Sequence, residues 1–179
     1  MDFTYEEFRQ AWAVAMADDD LEKTREENRQ LCDRYPFLIP MWDYDEDWNS
    51  TPATDYNYEW TFLDDIPKGW KHSFGVQMCE ELRDILIEGD YLDKYRVEQA
   101  KEKFGGIRWY DNGIPKEISD KYNTWLNKYE DLSEQTCIVC GKRPVKMVTK
   151  GWISPFCEKC FYEQYGKEEN YEEWTKQYE

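Results

Sequence analysis

The sequence predicts an α+β fold with a helical N-terminal half, a central β-hairpin and a C-terminal four-cysteine module of zinc-ribbon or treble-clef-like form. Three observations lead there. Cys137, Cys140, Cys157 and Cys160 follow a C-x2-C-x16-C-x2-C spacing, which brings two pairs of thiolates to one tetrahedral ion. Apolar residues recur at helical intervals before residue 35, after Pro67 and after Pro115. Between the last two, YRVEQAKEKFGGIRWYD reads as two strands around a tight turn. On this reading the chain divides into an acidic, ring-rich α+β body over residues 1–136 and a zinc-binding module with an acidic helical tail over 137–179.

Each element has a local reason. Thr4 and Glu7 have capping-box spacing, and Phe8, Trp12, Ala15 and Met16 share a face, so a first helix is expected from about Thr4 to Ala17. Asp18, Asp19 and Asp20 can cap a second helix ending near Tyr35. Pro36 and Pro40 then stop regular structure, and PFLIPMW is expected to pack on the core as a loop. DYNYEWTF alternates weakly, like a half-exposed strand.

Pro67 suits a first helical turn, and Trp70, Phe74, Met78, Leu82 and Ile85 or Leu86 follow on one face. The hairpin is expected from Tyr95 to Lys103 and from Ile107 to Tyr110, turning at Gly105-Gly106. A helix after Pro115 ends just before Cys137. Inside the module, Val145–Thr149 and Trp152-Ile153 are short enough for a hairpin, and the tail is helix-compatible, with Tyr165, Tyr171, Trp174 and Tyr178 as anchors.

The expected ligands are Cys137, Cys140, Cys157 and Cys160, holding one structural Zn2+. An all-cysteine site is saturated and stabilises a module too small to bury its own core. Two disulfides would need an oxidising compartment. Nothing points to one: MDFTYEEFRQ is not a signal or transit peptide, no apolar run could span a membrane, and a cytoplasmic location is expected.

Formal net charge is -16, and residues 1–65 carry eighteen Asp and Glu against five Lys and Arg. Such a surface repels phosphates, so direct DNA binding is not expected, whereas a basic protein partner is favoured. The expected partner surface is Asp43, Asp45, Glu46, Asp47, Trp48, Asp55, Asp64 and Asp65, interleaved with rings. The same acidity also keeps a ring-rich protein soluble.

Catalytic candidates are few, and the chain reads as a non-enzymatic binder. His72 is the only histidine, and Cys32 and Cys79 read as buried small groups on helices. A metal-dependent nuclease using Asp43, Asp45, Asp47, Asp64 and Asp65 is an alternative. Trp48 stands where a calcium loop of the D-x-D-x-D type needs glycine. A further alternative is a regulator whose basic module and Trp152 contact nucleic acid. In FGGIRWY the second strand is expected to carry Trp109 and Tyr110 into the core, with Arg108, Trp109 and Tyr110 as a partner hot spot the competing reading.

With these strings in view, the chain resembles a group of small proteins of bacteriophages and prophages of Gram-positive gut bacteria. The resemblance rests on YPFLIP (35–40), GWKHSFGVQMCEELRDIL (69–86), EKFGGIRWYDNG (102–113), TCIVCG (136–141) and GWISPFC (151–157), and covers most of residues 35–160. It implies a mobile-element origin and the zinc knuckles, and no mechanism. By analogy of class, small acidic phage proteins often inhibit host nucleic-acid enzymes. A CRISPR nuclease holds its nucleic acids in a positively charged channel, so an anti-CRISPR or other anti-defence role is the expected function.

Overall fold

The first helix runs unbroken where two were expected. In the computed structural model, which describes residues 5–44, 46, 50–149 and 152–173 and only the backbone of 5–19 and 50, α1 spans Tyr5–Arg34. No glycine or proline interrupts that stretch. Aspartate inside a helix costs at most about 0.7 kcal/mol, whereas a break would leave four backbone donors and four acceptors needing new partners. Pro36 ends the helix, and a 3-10 turn over Pro36–Leu38 buries Phe37 and Leu38.

The following segment departs further from expectation. A short antiparallel pair, β1 (Trp42–Tyr44) and β2 (Ser50–Pro52), lies where loop was expected. Residues 55–60, expected as a strand, form turns, with Tyr58 at φ 61°. Tertiary contacts outweigh the weak alternation. Asn28 of α1 donates to the Tyr58 carbonyl at 2.8 Å, and the Tyr56 hydroxyl donates to the Trp60 carbonyl at 2.8 Å. Thr61 and Asp64 then close a capping box on the 3-10 turn Phe62–Asp64.

The helical stretch from Lys68 to Glu88 comprises α2 (Lys68–Trp70), a π-helical segment (Lys71–Gly75) and α3 (Val76–Glu88). Its pattern explains the π turn. Trp70, Phe74, Met78, Leu82 and Leu86, all buried, repeat every four residues, so a pure α-helix would rotate the stripe by about 40° per step. A π turn absorbs extra residues and keeps the stripe on the core face.

The hairpin pairs β3 (Val97–Lys103) with β4 (Gly106–Asp111). Its turn centres one residue earlier than expected, on Phe104 and Gly105 at φ 54° and 80°, the positive pair that a type I′ turn needs. Trp109 is buried as expected, but Tyr110 is 44% exposed, because successive strand residues face opposite sides. Arg108 pairs with Glu130.

Helix α4 (Ser119–Glu134) follows a 3-10 turn and lies between hairpin and α3. Trp125 Nε1 donates to the Met78 carbonyl at 2.9 Å, and Ile107 N–H donates to Ser133 Oγ at 2.9 Å. Within this core Tyr95 donates to Asp111 Oδ2 and accepts from Trp109 Nε1, both at 2.9 Å, and Tyr122 also donates to Asp111.

Beyond α4, β5 (Lys146–Thr149) pairs with β6 (Ile153–Phe156), and α5 spans Glu158–Tyr165. Helix α5 ends at Tyr165 before Gly166, which takes φ 97°, and no helix follows among the described residues up to 173. Tyr165 and Tyr171 pack on Phe161, with ring centroids at 5.1 and 5.3 Å. The expected anchors Trp174 and Tyr178 lie outside the described residues.

Ser133→Ala is expected to destabilise the fold by about 1–3 kcal/mol, because it orphans the buried Ile107 N–H. Urea unfolding reads this directly, and an unchanged midpoint would contradict the packing of β4 on α4.

Candidate metal centre

The four cysteines come from two different local structures. Cys137 and Cys140 lie in a tight turn closed by Gly141 N–H on the Cys137 carbonyl at 3.0 Å, with Cys137 N–H on the Lys142 carbonyl at 2.9 Å. Gly141 adopts φ 75°, a conformation that glycine takes without steric cost. Cys157 is the N-cap of α5, its Sγ accepting from Cys160 N–H at 3.5 Å, and Cys160 lies in the first turn. Knuckle, hairpin and helix start make the module treble-clef-like rather than a ribbon of two knuckles.

All four Sγ atoms lie within 4.8 Å of one another, with Cys140 and Cys157 at 3.7 Å. A tetrahedron with metal–sulfur bonds of about 2.3 Å has edges of about 3.8 Å, so the donor set fits one metal ion. All six cysteines are free thiols. Cys137, Cys157 and Cys160 are buried and Cys140 is exposed. Burial, and then the neighbouring sulfurs, push the Cys160 thiol far above its ordinary value. A cation among the sulfurs would reverse that balance, since metal ligation deprotonates thiols.

The knuckle is seated on the body. Gly69 N–H donates to the Ile138 carbonyl at 2.9 Å, and Trp70 Nε1 to the Thr136 carbonyl at 2.8 Å. A Cβ on Gly69 would collide with the Cys137 carbonyl oxygen and lie 2.8 Å from Gly141 N. At the far end of the module, Trp152 stacks on Phe104 with centroids 5.6 Å apart and planes at 17°. Its Nε1 donates to the Glu102 carboxylate at 3.2 Å. Both rings are 53% exposed. Sequence reasoning missed both attachments. The signal for the first was GW at the start of a helix, where glycine is otherwise disfavoured.

The expected partner residues are distributed rather than convergent. Asp43 accepts from Thr54 N–H at 3.1 Å, and Asp64 caps Thr61 and pairs with Lys71, so both exposed carboxylates already have internal partners. Glu46, Asp55 and Asp65 are exposed. Burial, and then Asp64, raise the Asp65 carboxyl above its usual value. Asp45, Asp47 and Trp48 lie outside the described residues. Among the described residues the cysteines form the one group of three or more potential metal ligands.

Cys32 and Cys79 are buried, and burial raises the Cys32 thiol to about 11. His72 is exposed. No described helix is long and apolar enough to cross a membrane. No family model, curated protein or solved structure matches this chain.

Gly69→Ala is expected to cost about 3 kcal/mol, since the obstacle is backbone that cannot give way. Gly75→Ala, whose Cβ would meet only Leu63 and Lys71 side chains at 3.5 Å or more, should be neutral or stabilise by up to about 1 kcal/mol. Chemical denaturation of the pair checks the seat, and equal effects would refute it. Cys140→Ser should lower bound metal in elemental analysis, while Cys32→Ser leaves it unchanged.

Proposed function

We propose that this protein is a zinc-braced, phage-derived acidic binder that docks on a basic surface of a nucleic-acid enzyme and blocks substrate access there. A CRISPR effector nuclease, with its positively charged channel, is the foremost candidate partner. The protein acts by contact rather than by catalysis.

One observation carries this reading. Over the described part of residues 20–65 every cation is already engaged by a carboxylate: Lys23 by Glu27, Arg25 by Glu22 and Glu59, Arg29 by Glu26, and Arg34 by Glu80. Asp20, Asp33, Glu46, Asp55 and Asp65 are exposed and have no ion pair among the described residues. Loop 55–60, which carries Asp55, packs on α1 through Asn28, Arg25 and Cys32. Trp60 in that loop and Tyr44 in β1 are exposed rings that can serve as anchors. Unpaired carboxylates with aromatic anchors suit a cationic groove, where they steer encounter and add hot-spot contacts.

The ion is assigned as zinc, one per chain, from the all-thiolate tetrahedral donor set. Its part is to hold the knuckle on which Gly69 rests.

Binding to purified CRISPR nucleases should weaken on raising salt from about 50 to 300 mM, and Asp33→Lys with Asp55→Lys should weaken it by about tenfold or more. Surface plasmon resonance reads both, and binding indifferent to both would remove the proposal. Elemental analysis of pure protein should return one zinc per chain, and chelation should lower the melting temperature.

A further inference from the structure

Between the C-terminal half of α1 and the start of the Lys68–Glu88 stretch runs a groove that neither the metal centre nor the unpaired carboxylates use. Its main chamber, about 590 Å3, is lined by the apolar Leu31, Leu63, Ile66 and Val76 and by the polar Asp64, Lys68, Lys71 and His72. A second chamber of about 320 Å3 shares Leu31 and Val76 and continues beside Glu27, Gln30, Arg34 and Tyr35. Leu63 and Ile66 are buried, whereas Val76 is 54% exposed, an open aliphatic side chain common to both chambers.

The formal charges that line the two chambers are mixed, and among the described residues all but Lys68 are paired, Glu27 with Lys23 included. Lys68 and His72 lie one turn apart, both exposed, and neither has a side-chain hydrogen bond or ion pair among the described residues. Lys71 is tied to Asp64, and Arg34 to Glu80. A molecule of net charge -16 thus holds one unmatched cation, Lys68, with the His72 imidazole one turn away, beside an apolar floor. His72 also lies in the π-helical segment, a form that recurs at functional sites.

We propose that this groove binds a small organic anion with an apolar body, its head on Lys68 and His72 and its tail over Leu31 and Val76. The main chamber falls within the roughly 300–1,000 Å3 typical of small-molecule sites, and its lining combines an apolar floor with polar groups that can orient a head group. The head group decides the occupant. An anion gains from Lys68, a cation is repelled by it, and a neutral amphiphile leaves it unmatched.

His72 is the only histidine, so its imidazole proton resonances report on the groove without ambiguity. The full-length, metal-loaded protein is titrated with decanoate, decanol and decyltrimethylammonium below their micellar concentrations. Decanoate should give a saturable shift of the His72 resonances and bind about tenfold or more tightly than the other two. Val76→Glu and Lys68→Glu should each weaken decanoate by about tenfold or more. Melting curves verify that both variants fold, and if Val76→Glu melts lower, the fully surface change at Lys68 carries the test. Equal affinity for the three head groups, decanoate binding that survives Lys68→Glu, or no saturable shift overturns the proposal. So would a shift seen with a CRISPR nuclease and absent with decanoate, which would make the groove a protein-docking surface. The site is independent of the proposed function, and its failure leaves that reading intact.

Discussion

The contact of Gly69 with the cysteine knuckle is the constraint from which the rest of the structure hangs. Two backbones meet there with no side chain between them: Gly69 N–H bonds the Ile138 carbonyl, and the Gly69 carbonyl faces Gly141. Directly after it come Trp70, fully buried and bonded to Thr136, and the stripe that fills the core between α3 and α4. Whatever fixes the knuckle therefore fixes where that stripe begins. A saturated thiolate site suits the task, because it imposes one turn geometry irrespective of the small area that β5, β6 and α5 can bury.

Elements that are stiff for local reasons were legible in the sequence. The cysteine spacing located a site whose sulfurs do converge, and Pro67 and Pro115 marked helices whose apolar spacing matched burial at Met78, Leu82, Tyr122, Trp125 and Tyr129. Features decided by partners far along the chain were not legible. The alternation of DYNYEWTF gave way to hydrogen bonds from Asn28 and within the loop. The run Asp18–Asp20 had capping chemistry but no breaker beside it, so the helix passed through. A glycine needed for close approach looks the same in a sequence as one that only weakens a helix, and Gly69 and Gly75 differ only in what stands opposite.

Electrostatics follow the same division. Asp43 and Asp64 had seemed equivalent to Asp55 and Asp65, but a carboxylate three residues after Thr61 is in reach of a backbone donor and becomes a cap. The count of carboxylates in the N-terminal third overstates how many are unpaired, because cations on α1 pair with Glu22, Glu26, Glu27 and Glu59 locally. Asp20, Asp33, Glu46, Asp55 and Asp65 remain exposed and without an ion pair among the described residues.

The module is tied down at a second place, and the cost there is visible. Phe104 adopts φ 54°, a region where a bulky residue is strained by about 1 kcal/mol or more. Gly105, one residue on, is flush against Met147, and its N–H donates to Glu102 at 2.6 Å, the same carboxylate that receives Trp152. Turn, ring stack and carboxylate thus support one another across the gap between hairpin and module. Asparagine would fit the turn with less strain, yet it would leave the indole without its stacking partner. Together with the Val145 N–H bond to the Gln135 carbonyl at 3.0 Å, the knuckle seat and this stack restrain the module against pivoting about any one of them.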